Sequence, residues 1–490
     1  MLLSVCLAAS GVAARAAQKK AADTGKVSYY QQIRPIFQAN CQGCHQPAKS
    51  KGGYVMTDFA RLLGKGDSGD VAVAPRKPEA SKLVKMITPK DGETEMPKGK
   101  PSLAPVEIEL IQQWIAQGAR NDTPANAVPH YDADHPPVYT LPPVITSIDY
   151  SPDGALLAVA GFHEALLHKA DGSGMVARLV GLAERVQTVR FSPDGTMLAV
   201  AGGQPARLGE IQVWDVEKRK LTLSVPITYD TVYGCSWSPD GKLIAFGCAD
   251  NTVRVIEAKR GKQVLQQGSH SDWILDTVFS VKGDHVISTG RDMSVKLTEL
   301  ATQRFVDNVT SITPGALRGG NHALARHPER DEVLIGSSDG VPQIYRVFRQ
   351  TIRRIGDNAA LIRKFPPMEG RIYGVDYSAD GKRIAAGSSL DGAGVVNIYS
   401  AVFDSTIATN LVKAFEKTVS EQTADEKAAI EKYITSEVKL LAHVSLRSGV
   451  YAISFSPDGQ TVAAAGADGM VRLVDAESGL IRKEFEAVSL

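Results

Sequence analysis

The sequence predicts a multidomain chain in which a small all-α domain precedes a large all-β domain that carries a helical hairpin insertion. Three observations lead to this prediction. The chain has 490 residues, more than one ordinary domain holds. Residues 26–120 show helical periodicity around a Cys-x-x-Cys-His motif, and from residue 141 onward a Ser-Pro-Asp-Gly turn recurs between alternating apolar segments.

The composition excludes several protein classes. Hydrophobic residues make up 43% of the chain and charged residues 22%, which is typical of a globular protein and excludes a disordered tail or a multi-span membrane protein. The net charge of +1 gives no general nucleic-acid signature. Five cysteines are too few for a disulfide scaffold of this length.

Residues 1–17 predict a cleaved secretory signal peptide. An apolar run covers residues 1–14 and is too short to span a bilayer, and Ala14-Arg15-Ala16 has the form of a cleavage site. No later segment is long and apolar enough to be a membrane span. We therefore expect an exported protein, periplasmic or otherwise outside the cytoplasm, without a membrane span.

Cys41-Gln42-Gly43-Cys44-His45 has the spacing of a c-type haem attachment site. Two thiols on one helical turn can reach the two vinyl groups of a porphyrin, and the next residue can present its imidazole to the iron. A zinc site would need further ligands nearby, and a redox dithiol leaves His45 without a role. The motif predicts one covalent haem c, held by Cys41 and Cys44, with His45 as an iron ligand.

A sixth iron ligand is expected to be a methionine, and three are candidates. Met56 is predicted in a short extended piece, and Met86 lies in an apolar helical pattern typical of a core. Met96 lies in an irregular loop before Pro97, where packing does not require a methionine, so Met96 is preferred. His and Met ligation raises the reduction potential of a haem, which suits electron transfer.

The first domain resembles the planctomycete-type cytochrome c domain. The shared segments occur in order as Ile33–Phe37, Cys41–His45, Lys51–Gly53, Lys65–Gly69, Lys77–Glu79, Met96-Pro97 and Glu109–Ala119. The resemblance covers nearly all of residues 30–120 and implies a class I-like all-α fold with one covalent haem. It further implies His45 and Met96 as axial ligands and implies no substrate.

Residues 121–140 are rich in Pro, Asn, Asp and Ala and predict a linker, after which residues 141–490 predict seven repeats. The repeated turn lies at Ser151–Gly154, Ser192–Gly195, Ser238–Gly241 and Ser456–Gly459, with degenerate copies at Ser280–Gly283, His327–Arg330 and Ser378–Gly381. Four strands in a period of roughly 40 to 45 residues indicate a seven-bladed β-propeller. Residues 480–487 can supply its last strand, so ring closure needs no strand from the N-terminal side.

The repeats resemble the WD-repeat propeller family, although the Trp-Asp dipeptide survives only at Trp214-Asp215. The resemblance implies that His270 and Asp292 belong to a structural hydrogen-bond network. It also implies that a cytochrome c domain paired with such a propeller is exported. Cys235 and Cys248 are predicted to be small core residues too far apart for a disulfide.

Residues 402–437 predict a helical hairpin between the third and fourth strands of the sixth unit. Thr423 to Glu426 has the form of a capping box, and apolar residues recur at helical spacing on both sides of it. In a propeller this position lies on the face of the Ser-Pro-Asp-Gly turns, whereas the linker enters at the opposite face. The hairpin either packs on the propeller or serves as a docking arm, and we expect ring stability not to depend on it.

Charge is concentrated in the first domain, which has a net charge of +5 over residues 26–120. Lysines near the motif segments could form a basic rim that attracts an acidic redox partner; they are Lys49, Lys51, Lys65, Lys98 and Lys100. A second basic cluster, made of Arg346, Arg349, Arg353, Arg354, Arg363 and Lys364, is expected to be a solvated face. Neither group indicates nucleic-acid binding, because aromatic residues are not interleaved with the charges.

Three functions remain open at this point. The preferred one is an electron-transfer cytochrome that uses the propeller as a docking platform, so the sequence favours an electron carrier over a catalyst. The second is an enzyme with a further cofactor in the propeller, as in cytochrome cd-type nitrite reductases, although His163, His168, His322, His327 and His443 lack paired spacing. The third is a haem-based sensor or interaction protein. The sequence does not determine the oligomeric state.

Overall fold

A computed structural model describes residues 25–46, 49–124, 131–228, 230–311, 319–353 and 357–490. The expected signal peptide at 1–17 lies outside the described residues. Within them the chain divides into two compact units: residues 25–45 and 51–124 belong to the first, and residue 46, residues 49–50 and the segments from 131 to 490 belong to the second.

The first unit is helical. Its α-helices are α1 (Arg34–Asn40), α2 (Phe59–Leu62), α3 (Lys82–Ile87) and α4 (Pro105–Ala116), with a π-helical turn at Tyr29–Ile33 and 3₁₀ turns at Lys51–Gly53 and Pro78–Ala80. The chain also forms a short ladder of β1 (His45–Gln46) and β2 (Lys49–Ser50). No helix among the described residues has both the length and the apolar composition needed to cross a bilayer.

Helix α4 forms the base of the helical core. Pro105 occupies its first turn, where no backbone N–H is needed, and the Glu107 carboxylate accepts the Ala104 N–H at 2.9 Å. The buried face is the one that the sequence spacing predicts: Ile108, Ile111, Trp114 and Ile115. Trp114 stacks on Tyr29 with ring centroids 5.4 Å apart and meets the edge of Phe37 from α1.

The second unit is a seven-bladed propeller of four-stranded antiparallel blades. Strand β6 serves two blades, because its first half pairs with β5 and its second half with β7. The first two blades contain β3 (Ile148–Tyr150), β4 (Leu156–Ala160), β5 (Phe162–Lys169), β6 (Met175–Phe191), β7 (Met197–Gln204), β8 (Leu208–Asp215) and β9 (Lys220–Thr228).

The remaining five blades follow in chain order. The third and fourth contain β10 (Val232–Trp237), β11 (Leu243–Cys248), β12 (Val253–Glu257), β13 (Gln263–Gln267), β14 (Ile274–Phe279), β15 (His285–Gly290), β16 (Val295–Glu299) and β17 (Phe305–Asn308). The fifth and sixth contain β18 (Asn321–Arg326), β19 (Glu332–Ser337), β20 (Gln343–Arg346), β21 (Leu361–Lys364), β22 (Arg371–Tyr377), β23 (Arg383–Leu390), β24 (Ala393–Ser400) and β25 (Leu440–Leu446). The seventh contains β26 (Val450–Phe455), β27 (Thr461–Gly466), β28 (Met470–Asp475) and β29 (Ile481–Glu486).

The repeated turn explains why these segments fold into hairpins. In the first blade the Ser151 hydroxyl donates to the Asp153 carboxylate at 2.5 Å and accepts the Leu156 N–H at 2.9 Å. Gly154 has φ +71°, a conformation that a residue with a Cβ rarely adopts. The same serine–aspartate bond recurs in the second, third, sixth and seventh blades.

The ring closes between the last and first blades without a shared strand. Strand β29 pairs with β28 as the outer strand of the seventh blade, as the sequence predicts. The seam between the two blades is joined by the Ile145 N–H, which donates to the Gly466 carbonyl at 2.9 Å, and by the Tyr150 N–H, which donates to the Ser454 hydroxyl at 3.3 Å. Apolar packing around the buried side chain of Ile148 adds to this closure.

The predicted hairpin is present and consists of α5 (Thr409–Phe415) and α6 (Ala424–Thr435) between β24 and β25. The capping box of α6 is confirmed, since the Thr423 hydroxyl accepts the Glu426 N–H at 3.2 Å and the Glu426 carboxylate accepts the Thr423 N–H at 2.8 Å. Ile434 packs into the apolar cluster of the fifth blade. Packing on the propeller is therefore one role of the hairpin.

Three arginines of the second basic cluster do not lie on the solvated face that the sequence suggested, whereas the Lys364 side chain is 41% exposed and Arg354 lies outside the described residues. Arg363 is only 1% exposed, and its guanidinium donates to the Asp404 carbonyl at 2.7 Å. Arg346 is also buried and donates to the Ser405 carbonyl, while Arg349 pairs with Asp357 at 2.9 Å. These arginines satisfy polar groups beneath the hairpin and beside the fifth blade. The sequence could not show the contacts of Arg346 and Arg363, because Ser405 and Asp404 lie 59 and 41 residues further along the chain.

Cys235 and Cys248 are buried and form no disulfide. Cys248 lies opposite Val232 and Cys235 opposite Phe246, and a bulge interrupts the pairing between Val232 and Cys235. Both cysteines are small core residues, as predicted.

Candidate functional site

The Cys-x-x-Cys-His motif forms one turn that continues from helix α1. Cys41 caps the helix by donating its N–H to the Phe37 carbonyl at 2.8 Å. The Cys44 and His45 N–H groups both point back to the Cys41 carbonyl, at 3.0 and 3.2 Å. The two cysteines and the histidine are therefore brought together by local backbone geometry.

The two thiols of the motif are free, without a disulfide between them. Burial raises the pKa of Cys41 to about 12, although the Lys100 ammonium acts in the opposite direction. Lys100 also donates to the Ala39 carbonyl at 3.2 Å. The loop that carries Met96 thus returns to the cysteine turn at Lys100.

His45 is half-buried at the end of the cysteine turn. Desolvation by burial lowers its pKa, although the backbone carbonyls of Tyr54 and Lys51 act in the opposite direction, so the imidazole is neutral at pH 7. Its Nδ1 atom is buried and has no hydrogen-bond partner within the described residues. The Tyr54 ring meets the imidazole edge at 5.6 Å between centroids, and the Tyr54 hydroxyl is anchored on the Leu62 carbonyl at 2.6 Å.

The three candidate methionines occupy different environments. Met56 is 1% exposed and donates its N–H to the His45 carbonyl at 2.8 Å, and its own carbonyl accepts the Gln42 amide at 3.1 Å. Met86 lies half-buried on α3. Met96 is half-buried at the edge of the helical core, and its N–H donates to the Met86 carbonyl at 2.9 Å. Met56 lies within the helical core, in a segment without regular secondary structure.

Glycines allow two loops near His45 to pack closely against each other. The Asp67 N–H donates to the Gly52 carbonyl at 2.8 Å. A Cβ on Gly66 would collide with that same carbonyl oxygen, and a Cβ on Gly53 would collide with the Asp67 carboxylate. These positions therefore require glycine for close backbone packing beside the His45 turn, which explains the segments Lys51–Gly53 and Lys65–Gly69.

In the propeller, His270 and Asp292 form the hydrogen-bond network that the resemblance implies. The His270 imidazole bonds the Asp292 carboxylate at 2.9 Å and the Ser288 hydroxyl at 2.8 Å. Burial opposes ionisation of Asp292, but the hydrogen bonds from His270, Ser294 and the Ser271 N–H prevail and lower its pKa to about 2. This network fastens the fourth blade, and its His270 and Ser288 side chains are buried.

The sequence analysis missed a group of buried charges on the inner strands. The Asp149 carboxylate accepts the Phe191 N–H at 2.7 Å, and the equivalent Asp376 accepts the Phe455 N–H at 2.7 Å. Each of these hydrogen bonds joins the blade of the aspartate to the next blade. Burial raises the pKa of Asp149 and Asp276 to about 6 and that of Asp376 to about 7, while Arg190 lowers all three. The signal was available, because Asp149, Arg190 and Asp376 each lie two residues before a repeat serine.

The five propeller histidines that the sequence analysis named are spread over three blades. His163 and His168 lie on β5, His322 on β18, His327 after that strand and His443 on β25. Within the described ranges, no three side chains of His, Cys, Asp or Glu are grouped so that they could hold a metal ion.

Three family models match parts of the chain. The planctomycete cytochrome C model matches residues 41–99. The anaphase-promoting complex subunit 4 WD40 domain matches residues 206–282, and the WD domain, G-beta repeat, matches residues 435–475. The chain therefore combines a cytochrome c domain of the planctomycete type, which implies haem binding, with a WD-repeat propeller.

The curated relatives are similar over short stretches. Autophagy-related protein 16 of Arabidopsis thaliana is 26% identical over 149 residues, which cover 29% of this chain and 28% of that protein. WD repeat and SOCS box-containing protein 1 of Danio rerio is 31% identical over 94 residues, which cover 19% and 22%. Coronin-7 of Mus musculus is 27% identical over 117 residues, which cover 22% and 12%. The chain thus spans less than a third of the length of each of these relatives.

Proposed function

We propose that this chain is an exported electron-transfer cytochrome whose first unit carries a single haem c bound covalently to Cys41 and Cys44. The observation that carries the proposal is the single turn that presents two free thiols and the His45 imidazole together. A bound haem supplies a one-electron iron couple, and the propeller serves as a platform for a protein partner.

The residues of the cysteine turn and its surroundings fit a covalently bound haem. The donor set of two thiols and one imidazole on a single turn is the set that covalent haem attachment requires. The buried Nδ1 of His45 has no protein partner within the described residues, and its neutral imidazole is the form that ligates iron. The collisions that a Cβ would make at Gly53 and Gly66 show that the loops beside His45 are tightly packed, which keeps the ring in place.

Met96 is the preferred sixth ligand. Met56 donates its backbone N–H to the His45 carbonyl and is buried in the helical core, so its side chain already has a structural role. The Met96 loop instead approaches the cysteine turn from a distant part of the chain, through Lys100. This arrangement favours Met96 over Met56, and a His and Met pair suits electron transfer.

The exposed lysines of the first unit support an acidic redox partner. Lys51, Lys65, Lys98 and Lys100 are all exposed. Positive charge near an electron-transfer site raises the encounter rate with an anionic partner, and the effect weakens as salt is added. The export of the protein is supported by the apolar segment at residues 1–17 and is tested by comparing periplasmic and cytoplasmic fractions of the cells that make it.

The covalent haem is tested on the full-length chain by substituting Cys41→Ala together with Cys44→Ala. We expect haem staining of the denatured protein to disappear, while the urea unfolding of the propeller stays unchanged. The matched control is Cys235→Ala with Cys248→Ala, which removes two buried thiols elsewhere and should retain the stain. Staining that survives in the first double variant contradicts the proposal. A visible spectrum with bands beyond one haem c would instead support the enzyme with a second cofactor.

The charge of the partner is tested with two small oxidants of the reduced protein. We expect ferricyanide, an anion, to oxidise it faster than the cation cobalt tris(phenanthroline) at low salt after correction for driving force. Replacing Lys51 and Lys98 by Gln should reduce the advantage of ferricyanide, whereas Lys427→Gln on the hairpin should not. Equal salt dependence for both oxidants would contradict an acidic partner.

A further inference from the structure

The central channel of the propeller opens into a cavity of about 400 Å³ within the second unit. Four of its lining residues hold the same place on four inner strands, near the start of β10, β18, β22 and β26. They are Tyr233, His322, Tyr373 and Tyr451, and we call them the channel mouth. This end of the inner strands lies opposite the Ser-Pro-Asp-Gly turns, since those turns follow the other end.

Three rings of the channel mouth form an aromatic wall. His322 lies 4.8 Å from Tyr373, and Tyr373 lies 5.2 Å from Tyr451, both between ring centroids. Tyr233 belongs to a second pair of rings, since it stacks on Trp273 at 5.7 Å. Trp273 is 37% exposed, so this pair reaches the surface. Flat apolar faces of this kind suit a planar ligand.

Two exposed arginines make the channel mouth electropositive. Arg291 lies over the Trp273 ring at 4.7 Å, and Arg371 precedes Tyr373 by two residues on β22. Their effect reaches His322, because burial together with the charges of Arg371 and Arg291 lowers its pKa to about 4. Within the described residues the Arg371 guanidinium has no hydrogen-bond or ion-pair partner, and the only ion pair of the Arg291 guanidinium is a loose one with Asp272 at 3.7 Å.

The acidic residues near the cavity do not neutralise the positive charge of Arg291 and Arg371. Asp276 lines the cavity, but its carboxylate is committed to the N–H groups of Thr277 and Leu324, and Arg190 lies near it. Asp230 acts on Tyr233, where Arg291 and Arg185 act in the opposite direction. The mouth therefore offers cationic donors with spare hydrogen-bonding capacity beside an aromatic wall.

We propose that the channel mouth binds a small organic carboxylate, with the carboxylate between Arg371 and Arg291 and the planar part against Tyr373 and Tyr451. A guanidinium can bind a carboxylate through two parallel hydrogen bonds, which selects this group over a neutral amide. The cavity volume accommodates a small molecule. This site does not depend on the haem, and its test succeeds or fails independently of haem attachment.

Calorimetric titration of the full-length protein with three matched probes tests the ligand class. Benzoate should bind, benzamide should bind at least about tenfold more weakly, and benzylamine should not bind measurably. Benzoate affinity should fall as salt rises, because ions screen the arginines. Equal affinity for benzoate and benzamide overturns the proposal, as does a complete absence of benzoate binding at millimolar concentration.

Two variants locate the site. Arg371→Gln should weaken benzoate binding by at least about tenfold, since a charge-assisted bond is lost. Arg260→Gln is the control, because Arg260 is equally exposed but lies in the turn between β12 and β13 on the opposite face. Equal benzoate affinity in the two variants, at matched melting temperatures, overturns the assignment. A short peptide with a free C-terminal carboxylate is the last probe. If it binds more tightly than benzoate, the natural ligand is a peptide, and the proposal of a small-molecule ligand is overturned.

Discussion

The backbone N–H of Met56 donates to the carbonyl of His45 across 2.8 Å, so the backbones of these two residues are held together beside the cysteine turn. Met56 is also 1% exposed and lies in the helical core. A methionine held in this way has a structural role already. The relationship separates the candidates for the axial ligand more sharply than the sequence could, because the sequence shows neither burial nor the His45 contact.

Met96→Ala should lower the reduction potential and abolish the weak far-red absorption of a methionine-ligated ferric haem, while the haem remains covalently bound. Loss of a thioether ligand removes the stabilisation of the reduced iron. Met56→Ala should leave the absorption in place but lower the free energy of unfolding by about 2–5 kcal/mol, as for a buried methionine. Redox titration, visible spectra and urea unfolding of both variants check these outcomes.

Met86→Ala is the matched control, because Met86 is half-buried on α3 and its carbonyl accepts the Met96 N–H. Its backbone carbonyl survives the substitution, so the loop should keep its place and the spectrum should not change. Loss of the far-red band in the Met56 or Met86 variant, but not in the Met96 variant, would show that the axial assignment is wrong.

Local patterns predicted the repeats well. The Ser-Pro-Asp-Gly turns, the buried face of α4 and the capping box of Thr423 depend on contacts within a few residues, which a sequence displays directly. The cysteine turn is local in the same sense. The seven blades and the hairpin position followed from these local signals together with the length of the repeat.

Contacts between distant residues were not predictable. Arg363 was expected on a solvated face, yet its partners are Asp404, 41 residues away, and rings of the hairpin. The charges at Asp149, Arg190, Asp276 and Asp376 meet only because the inner strands gather around one axis. A charged residue in a strand looks solvent-facing in the sequence unless the closure of the ring is known.

Arg363→Ala should lower the free energy of unfolding by about 2–4 kcal/mol. Its guanidinium lies 4.4 Å from the Phe403 ring centroid and 5.0 Å from that of Tyr433, and it donates to the Asp404 carbonyl. Removing it leaves the Asp404 carbonyl without this donor and opens space between two rings. Lys364→Ala is the control, with an expected change of about 0.5 kcal/mol or less, because its pairing with Glu431 is exposed.

The hairpin should contribute to propeller stability, contrary to the expectation from sequence. Replacing residues 404–436 by a short Gly linker removes Ile434 from the fifth-blade cluster and the carbonyls that Arg346 and Arg363 bind. We expect a lower melting temperature with retained haem staining. A melting temperature equal to that of the intact chain would show that these contacts add no net stability.

His270→Ala should lower the free energy of unfolding by about 1–3 kcal/mol at pH 7. The substitution leaves Asp292 ionised and without its main hydrogen-bond donor in a buried position. Asp292 has a lowered pKa in the folded state, so its stabilisation is present above pH ~4 and is lost as pH falls toward about 2. His285→Ala provides the control, because the Asp284 partner of His285 is half exposed. Chemical unfolding of both variants at pH 7 and pH 3 measures the effect.

The inner-strand carboxyls should make the propeller less stable as pH rises, and Asp376→Asn tests this. Burial raises the pKa of Asp376 to about 7, with Arg190 and the Phe455 N–H acting in the opposite direction. A carboxyl with a higher pKa in the folded than in the unfolded state takes up a proton on folding, so its contribution weakens from pH ~4 through about pH 7. The Asn oxygen can still accept the Phe455 N–H.

Relative to the native protein, Asp376→Asn should therefore gain stability between pH 5 and pH 8, on the order of 2 kcal/mol. The comparison cancels the opposite contribution of the buried histidines, whose pKa values are lowered by burial and whose stabilisation is lost as pH falls. Urea unfolding of both proteins at the two pH values gives the difference directly. The same pH dependence in the two proteins would contradict the prediction. It would mean that Asp376 stays ionised in the folded state, because Arg190 stabilises its negative charge enough to offset burial.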